Sequence, residues 1–514
     1  MADPQQQVRD WLTAYGSPTA CAAHLLCDRH DADATAVTEV HADLSARTLT
    51  YGELARRSTT LAVALRDHGV TAGDHVATLI GPGVDLTVTA VALWRLGAVL
   101  VPLSTTLAAS AIDQRLRAAA ARAVVCPTEH HPKITRDGAP WTVITPDQTP
   151  HDDTPVDTAA TGGDAPFVLL YTAGVSGPPR GVPVPLRALT ALHAHHRYGL
   201  GVRADDVYWC AGEPDDPNGL YYGLISPLLA GHSALHLRAG FDPELTLDVL
   251  ETFGVTYLAT SPTAYRALRS TTKTLPPGIV VRRLASAGQA LRSDTVEWAL
   301  GTFGVGIGDH YGQPETGIIA TNDSLGGPLE ALPGIDLHVL EPVADTPVAA
   351  GEFGRVAVDT ASSPALWFTG YHADPTASAR RFSPDGRWYL TGDTGIHDPT
   401  GRIRLSRRDD EVIITSGYRV GPYDVESVLL EHPLVEEAAV YGVPDPARGA
   451  RVAANVVLAQ GAQPTPELAD ALTTLVAQRF AEHAAPHTLN FVPQLPRTAS
   501  GKLRRNRLRA GAAQ

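Results

Sequence analysis

Lysine is nearly absent from this 514-residue chain. Only Lys133, Lys273 and Lys502 occur, and the other 38 of the 41 basic residues are arginine. A chain so biased has moved to arginine wherever either cation serves, so a retained lysine marks a place where a compact ammonium is needed. Cysteine is sparse too. Cys21, Cys27, Cys126 and Cys210 form neither a CxxC pair nor a zinc spacing, which points to buried, reduced thiols. An excess of positive charge is missing: 55 acids against 41 bases give −14, which argues against a uniformly basic nucleic-acid binder. The N-terminus has no basic segment followed by an apolar one, so no signal peptide is expected. The longest apolar stretch, 86–103, is interrupted by Arg95 and Gly97 and stopped by Pro102. It reads as a helix followed by a strand, not a membrane span. A cytoplasmic protein without membrane or nucleic-acid partners is the expectation, and no internal repeat is visible.

What is present is ample core material, with 44% apolar and 19% charged residues over a length that allows two to four domains. Glycine (46) and proline (40) are abundant, so tight turns should be many. The first third alternates helix and strand patterns. Thr50-Tyr51-Gly52-Glu53 is a capping box that opens a helix toward Asp67. Apolar runs at 75–80, 98–101 and 123–126 are spaced by helical patterns at 85–95 and 114–121, which argues for a parallel or mixed α/β sheet. Residues 145–166 read as an exposed connection leading into a strand at 167–171. A second α/β stretch runs from about 207 to 320, a strand-rich one from about 336 to 404. After Arg408 a smaller α+β unit is expected, with helices at 424–431 and 467–482 and strands at 438–443 and 452–458.

Five segments carry chemistry. The first, 171–182 (YTAGVSGPPRGV), follows a buried strand and supplies glycines, hydroxyls and a cation suited to phosphate oxygens. It is neither a Walker A loop nor GxGxxG, and alone it reads equally as a Gly/Pro turn. The second, 309–317 (DHYGQPETG), sets an aromatic beside glycine, which can stack a purine, and a carboxylate at Glu315 able to hold Mg²⁺. Alone it is a strand end with a surface acid. The third, 389–393 (YLTGD), places Asp393 after a turn, where it could accept bonds from ribose hydroxyls or simply close a β-turn. The fourth, 407–419, is a charge run leading to Ser416-Gly-Tyr-Arg419. The fifth, Pro496-Arg-Thr-Ala-Ser-Gly-Lys502, ends on a lysine that alone reads as a solvated tail but sits on a Gly-Ser turn and resisted the arginine bias. His193, His195 and His196 have no fourth metal ligand nearby and read as a packed or solvated helix face.

In this order and spacing the five segments resemble the core motifs of the acyl-adenylate-forming ligases: acyl-CoA synthetases, luciferases and peptide-synthetase adenylation domains. The likeness runs from Leu49 to Lys502 and is greatest to medium-chain acyl-CoA synthetases and benzoate-CoA-type ligases, through 219–224, 241–244, 261–266, 311–313 and 416–422. It implies an α/β fold: a large N-terminal ATP- and acid-binding domain of mixed or parallel sheets with helices (1–407) and a small mobile α+β C-terminal domain (408–514). It makes Thr172, Gly174, Ser176, Gly177, Arg180 and Gly181 the phosphate loop. Gly288, Gln289, Ala290, Asp309, His310, Tyr311, Gly312, Gln313 and Pro314 become nucleotide contacts. Glu315 becomes the Mg²⁺ ligand, Asp393 and Arg408 the ribose contacts, Arg419 a phosphate contact, Asp410 the hinge and Lys502 the catalytic lysine. Tyr221, Tyr222, Gly223 and Tyr265 fall near the acyl pocket, where few charges occur, which suits an apolar tail, fatty or aromatic.

The implied activity is ATP- and Mg²⁺-dependent activation of a monocarboxylic acid as acyl-AMP, then transfer to coenzyme A. Alternative acceptors in specialised metabolism are a carrier-protein thiol or an amine, and nitrite-dependent diazotisation is a further variant; a member that binds without turnover is the non-enzyme alternative. Departures from the family pattern are Ala173 and Val175, which remove hydroxyls, Arg180 for lysine, Pro314 for threonine, Arg407 for glycine, and no Tyr-Lys pair around 485–487.

Overall fold

The computed structural model describes residues 3–135, 138–146, 158–172, 179–272, 275–289, 291–322, 327–408, 413–415, 418–420, 422–445, 449–479, 482–497, 503–505 and 507–508. They form two compact units. One comprises the described residues of 1–172, 179–336 and 359–387; the other comprises those of 337–358 and 388–514.

The larger unit holds two sheets. In the first, the strands Thr142–Ile144, Ala123–Val125, His75–Thr78, Val99–Pro102 and Pro166–Tyr171 run parallel in that order, and Gly181–Pro185 closes the edge antiparallel. The helix Tyr51–Asp67 starts on the expected capping box: the Thr50 side chain accepts from Glu53 N–H and Glu53 reaches back to Thr50 N–H. The following helix, Val84–Arg95, is buried along almost its whole length, as the continuous apolar pattern requires. Its Arg95 guanidinium goes inside only because Asp28 and Ser58 satisfy it.

The second sheet is nine-stranded among the described residues, and its centre builds the site. Here β1 (Tyr208–Cys210), β2 (Tyr257–Thr260), β3 (Arg283–Ala287) and β4 (Ile307–Gln313) run parallel, and β5 (Gly317–Thr321) folds back antiparallel on β4. Alternate residues face opposite sides of a strand. Trp209, Leu258, Leu284 and Ile307 are register partners and share one face. They pack with Val249, Leu250, Tyr265 and Leu268 into the core that holds helices 243–252 and 262–271 in place. The next row, on the other face, is Cys210, Ala259, Ala285 and Gly308, all small.

The second unit contains a four-stranded sheet (337–340, 353–359, 388–397, 403–408) and a five-stranded one. The latter is covered by helices Pro422–Leu429 and Pro466–Arg479 around Ile413, Val425, Val440, Val452, Leu472 and Val476. Glu426 is buried there, accepts from Val440 N–H at 2.7 Å and pairs with Arg505 at 2.6 Å. Predicted helices and strands of this region recur, with the second strand starting at Gly449 and the second helix ending at Arg479. All four cysteines are free, and Cys27, Cys126 and Cys210 are buried. No described helix is long and apolar enough to cross a membrane.

Candidate active site

Ligands of open α/β sheets bind beyond the carboxyl ends of the strands. The β4–β5 hairpin stands at that edge, and its turn carries Pro314, Glu315 and Thr316. Gly312 is required by packing, because a Cβ there would lie 2.0 Å from the Gly317 carbonyl oxygen. A π-helical segment, Asn218–Ile225, holds the hairpin with two consecutive tyrosines. The Tyr221 hydroxyl donates to the Pro314 carbonyl at 3.0 Å, and the Tyr222 hydroxyl accepts from Ile318 N–H at 2.6 Å.

Glu315 is buried, with 6% of its surface exposed. The Tyr371 hydroxyl donates to it at 2.6 Å. Burial, reinforced by the neighbouring carboxylate, pushes the Tyr371 phenol up, so it remains a donor. The Arg180 guanidinium lies over the Tyr371 ring at 5.5 Å and reaches Asp374 at 3.4 Å. Arg381 donates to the Gln313 side chain. Asp374 also caps the short helix 375–379 by accepting from Ala377 N–H, which fixes the Gly370-Tyr371 approach. Tyr371 thus reaches the Glu315 carboxylate, and Arg180, Arg381, Tyr221 and Tyr222 hold Tyr371 or the hairpin that carries Glu315.

On either side of the loop expected to meet phosphate, Thr172 N–H donates to the Arg180 carbonyl at 2.9 Å, and Arg180 N–H to the Thr172 hydroxyl at 3.0 Å. Gly181 pairs with Tyr171 in the sheet. Gly174, Ser176 and Gly177 lie outside the described residues, as do Ala290, Asp410 and Lys502. Gly288 has φ +88°, a turn after β3 that glycine tolerates, and Gln289 accepts from the Thr263 hydroxyl at 3.3 Å. Tyr311 follows His310 in β4. Asp309 is partly enclosed, and desolvation pushes its carboxyl up to about 7. In the other unit, Asp393 and Arg408 are register partners on adjacent antiparallel strands, and Arg419 sits opposite Ile414 in a hairpin. Arg497 and Leu503 form an isolated antiparallel bridge.

A small cavity lies over the Cys210–Ala259–Ala285 row, with Tyr222, His195 and His310 on its walls. Tyr208 and Tyr257, edge to face at 5.4 Å, fill the row beneath it. His195 Nε2 and His310 Nδ1 are hydrogen-bonded at 2.8 Å, and the His195 ring meets Tyr222 edge-on at 4.4 Å. Burial drives both imidazoles down, His310 to about 3, so the pair is neutral. His196 bonds His232 at 3.0 Å, and His193 bonds the Tyr15 hydroxyl at 2.8 Å. The histidine triplet is therefore a packed interior face, and no metal-binding cluster occurs among the described residues. Tyr265, expected near the acyl pocket, lies in the core beside Leu258 and Leu284, its hydroxyl donating to the Leu258 and Ala285 carbonyls. Gly223 approaches Cys210, whose carbonyl oxygen would stand 3.2 Å from an added Cβ.

Sequence reasoning did not single out Tyr371, Asp374 or Arg381. A left-handed glycine directly before an aromatic, followed by an Asp-Pro helix start, is the signal that could have found them.

Residues 27–372 match the model described as "AMP-binding enzyme", and 424–502 match "AMP-binding enzyme C-terminal domain". The chain belongs to the AMP-binding enzyme family. This AMP-binding enzyme is 29% identical over 490 residues to an acetyl-coenzyme A synthetase of Bacillus subtilis (strain 168), covering 90% of the chain and 84% of that protein. It is similar to the crystal structure of a Brucella canis acyl-CoA synthetase at 35% identity and TM-score 0.74, covering 99% and 97% of the two chains. The ATP-bound structure of MatB from Rhodopseudomonas palustris matches at 26% identity and TM-score 0.85, covering 96% and 99%.

Proposed function

We propose that the converging residues around Glu315 form the nucleotide-activating centre of an acid–CoA ligase, and that the cavity over Ala259 and Ala285 receives the acyl group. Membership of the family, with acyl-CoA synthetases as relatives along nearly the whole chain, supports ATP-dependent formation of an acyl-adenylate and its transfer to coenzyme A. The observation that carries the assignment of the centre is the Glu315–Tyr371–Arg180 contact. It joins the hairpin to the base of the phosphate loop, two motifs more than a hundred residues apart.

In the first half-reaction an oxygen of the acid attacks the α-phosphorus of ATP, the bond to the bridging oxygen breaks, and pyrophosphate leaves with the electron pair. Two anions must meet, so the site has to offer positive charge and donors where charge accumulates. Arg180 supplies a fixed cation, and backbone amides of the loop supply donors. Glu315 suits Mg²⁺: it is a buried hard oxygen donor, and among the described residues it has no ion-pair partner. Bound there, Mg²⁺ would neutralise polyphosphate charge. Asp393 and Arg408 are assigned to the ribose, Arg419 to phosphate and Gln289 with Tyr311 to the adenine. Lys502 is the movable ammonium, withdrawn by rotation about Asp410 before the second half-reaction. There the thiol sulfur attacks the acyl carbon, the acyl–oxygen bond breaks, and AMP departs. The division near residues 407 and 408, with a mobile C-terminal part, belongs to this reading, as does a cytoplasmic setting.

The test is pyrophosphate release from ATP and Mg²⁺ with a panel of acids, followed by mass spectrometry of products after adding coenzyme A. Acid-dependent pyrophosphate and an acyl-CoA product are expected. Pyrophosphate with no acyl-CoA, but product on adding amines or a carrier protein, would reassign the acceptor. Silence across the panel would overturn the ligase reading.

A further inference from the structure

The cavity speaks to the acid itself. Its floor is one row of small side chains, Cys210, Ala259 and Ala285, and the row beneath is closed by the fully packed rings of Tyr208 and Tyr257. Rows on one face of a strand are about 6.6 Å apart, so a group entering from the carboxyl ends meets aromatic rings after a few atoms. Nor do the walls yield readily. Tyr222 is pinned through its hydroxyl to Ile318 N–H, and its ring is packed edge-on against His195.

The walls are uncharged, but they are not apolar. His195 and His310 are both almost fully buried, and each bonds the other through one ring nitrogen. His195 Nδ1 is buried with no hydrogen-bond partner. In a neutral pair one nitrogen donates and the other accepts. If His310 Nδ1–H donates, His195 carries its proton on Nδ1 and presents a donor; if His195 Nε2–H donates, Nδ1 presents an acceptor. Either way a hydrogen-bonding capacity remains unused on a residue of the cavity wall, and a hydrocarbon tail would leave it so.

We infer that the acid activated here is short, a few carbons beyond its carboxyl group, and carries an uncharged hydrogen-bonding group that His195 and His310 recognise. The inference rests on the cavity being the acyl site of the proposed ligase. A hydroxyl or carbonyl matches the pair, whose tautomers can both give and take a proton. A charged ammonium or second carboxylate does not, since no charged side chain lines the cavity to offset its desolvation. An octanoyl chain runs past the row closed by Tyr208 and Tyr257, and a benzoyl ring would leave the buried His195 nitrogen without a partner.

The experiment compares kcat/KM for acyl-CoA formation with butyrate, the 2-, 3- and 4-hydroxybutyrates, octanoate and benzoate. It uses the full chain and the variant His310→Leu, which keeps bulk but removes the ring nitrogens. Ratios between substrates on one preparation do not depend on how much of it is folded. At least one hydroxy acid should exceed butyrate by about 10-fold or more, with octanoate and benzoate weakest, and His310→Leu should bring the hydroxy-to-alkyl ratio near one. Octanoate or benzoate as the best substrate, or an unchanged ratio in His310→Leu, overturns the inference. If no acid releases pyrophosphate, the ligase reading fails separately. Calorimetric titration of the same acids into the wild-type chain then decides the cavity: tighter binding of a hydroxybutyrate than of octanoate and butyrate supports the inference, and any other order, or no binding, overturns it.

Discussion

Replacing Tyr371 by phenylalanine removes a single oxygen and leaves the ring beneath Arg180. The lost hydroxyl donates at 2.6 Å to a carboxylate with only 6% exposure, so water cannot readily take its place. Hydrogen bonds to charged groups contribute about 1.5–3 kcal/mol, and burial of the acceptor puts this one toward the upper end. For a large domain, where 1 kcal/mol moves the melting point by about 2 °C, the apo enzyme should melt ~3–6 °C lower. The cation–π contact at 5.5 Å survives in the variant, so the shift isolates the hydroxyl. Differential scanning fluorimetry with and without saturating Mg²⁺ and ATP is the assay. If Glu315 engages Mg²⁺, bound metal takes over the role of the phenol, and the gap between variant and wild type should narrow in the ligand-bound pair. A variant that melts with wild type when empty refutes the energetic argument. A gap of the same size in both conditions refutes the assignment of Glu315 to the metal.

Lys502→Ala should lower adenylate formation by about 10²–10³ while leaving consumption of supplied acyl-adenylate largely intact; equal loss of both steps, measured separately, would remove its assigned role. Gly312→Ala should destabilise the hairpin, because its methyl would sit 2.0 Å from the Gly317 carbonyl oxygen, and soluble yield with thermal melting would report it. Stability should fall on acidification below about pH 6.5, the unperturbed histidine value. Burial lowers His195 and His196, takes His193 and His310 to about 3 and His236 to about 4, so the unfolded chain binds more protons between those values and 6.5. Asp215, raised to about 6, and Asp309, raised to about 7, act with the opposite sign but are fewer. A slope above about 1.4 kcal/mol per pH unit, the value for one uncompensated proton, is expected in denaturant titrations between pH 4 and 6, and a flat profile would contradict the burial argument.

Local chemistry was legible where the chain announces it. The capping box at Thr50 and Glu53, the strand end at Tyr171 and the strand end before Glu315 all stand where residue types alone put them. Three things were not legible. The convergence of Tyr371 on Glu315 spans 56 positions and is set by the packing of the segment 359–387, not by spacing. The π-helical turns at 195–200 and 218–225 break the 3.6-residue period on which helix reading depends, and they let adjacent Tyr221 and Tyr222 grip neighbouring points of one hairpin. The face on which Tyr265 lies follows from how the helix Pro262–Thr271 packs on the sheet, which turns this side chain into the core beside Leu258 and Leu284.

The alternation along β1 to β3 separates two tasks that share the same strands. Leu258 and Leu284 pack into the core on one side, while Ala259 and Ala285 line the cavity proposed for the acyl group on the other. A single added methyl at an alanine would narrow that cavity and point away from the leucine side. If the cavity is the acyl site, as proposed, preference for one acid over another can drift by point mutation on the alanine side while the core on the leucine side keeps its residues.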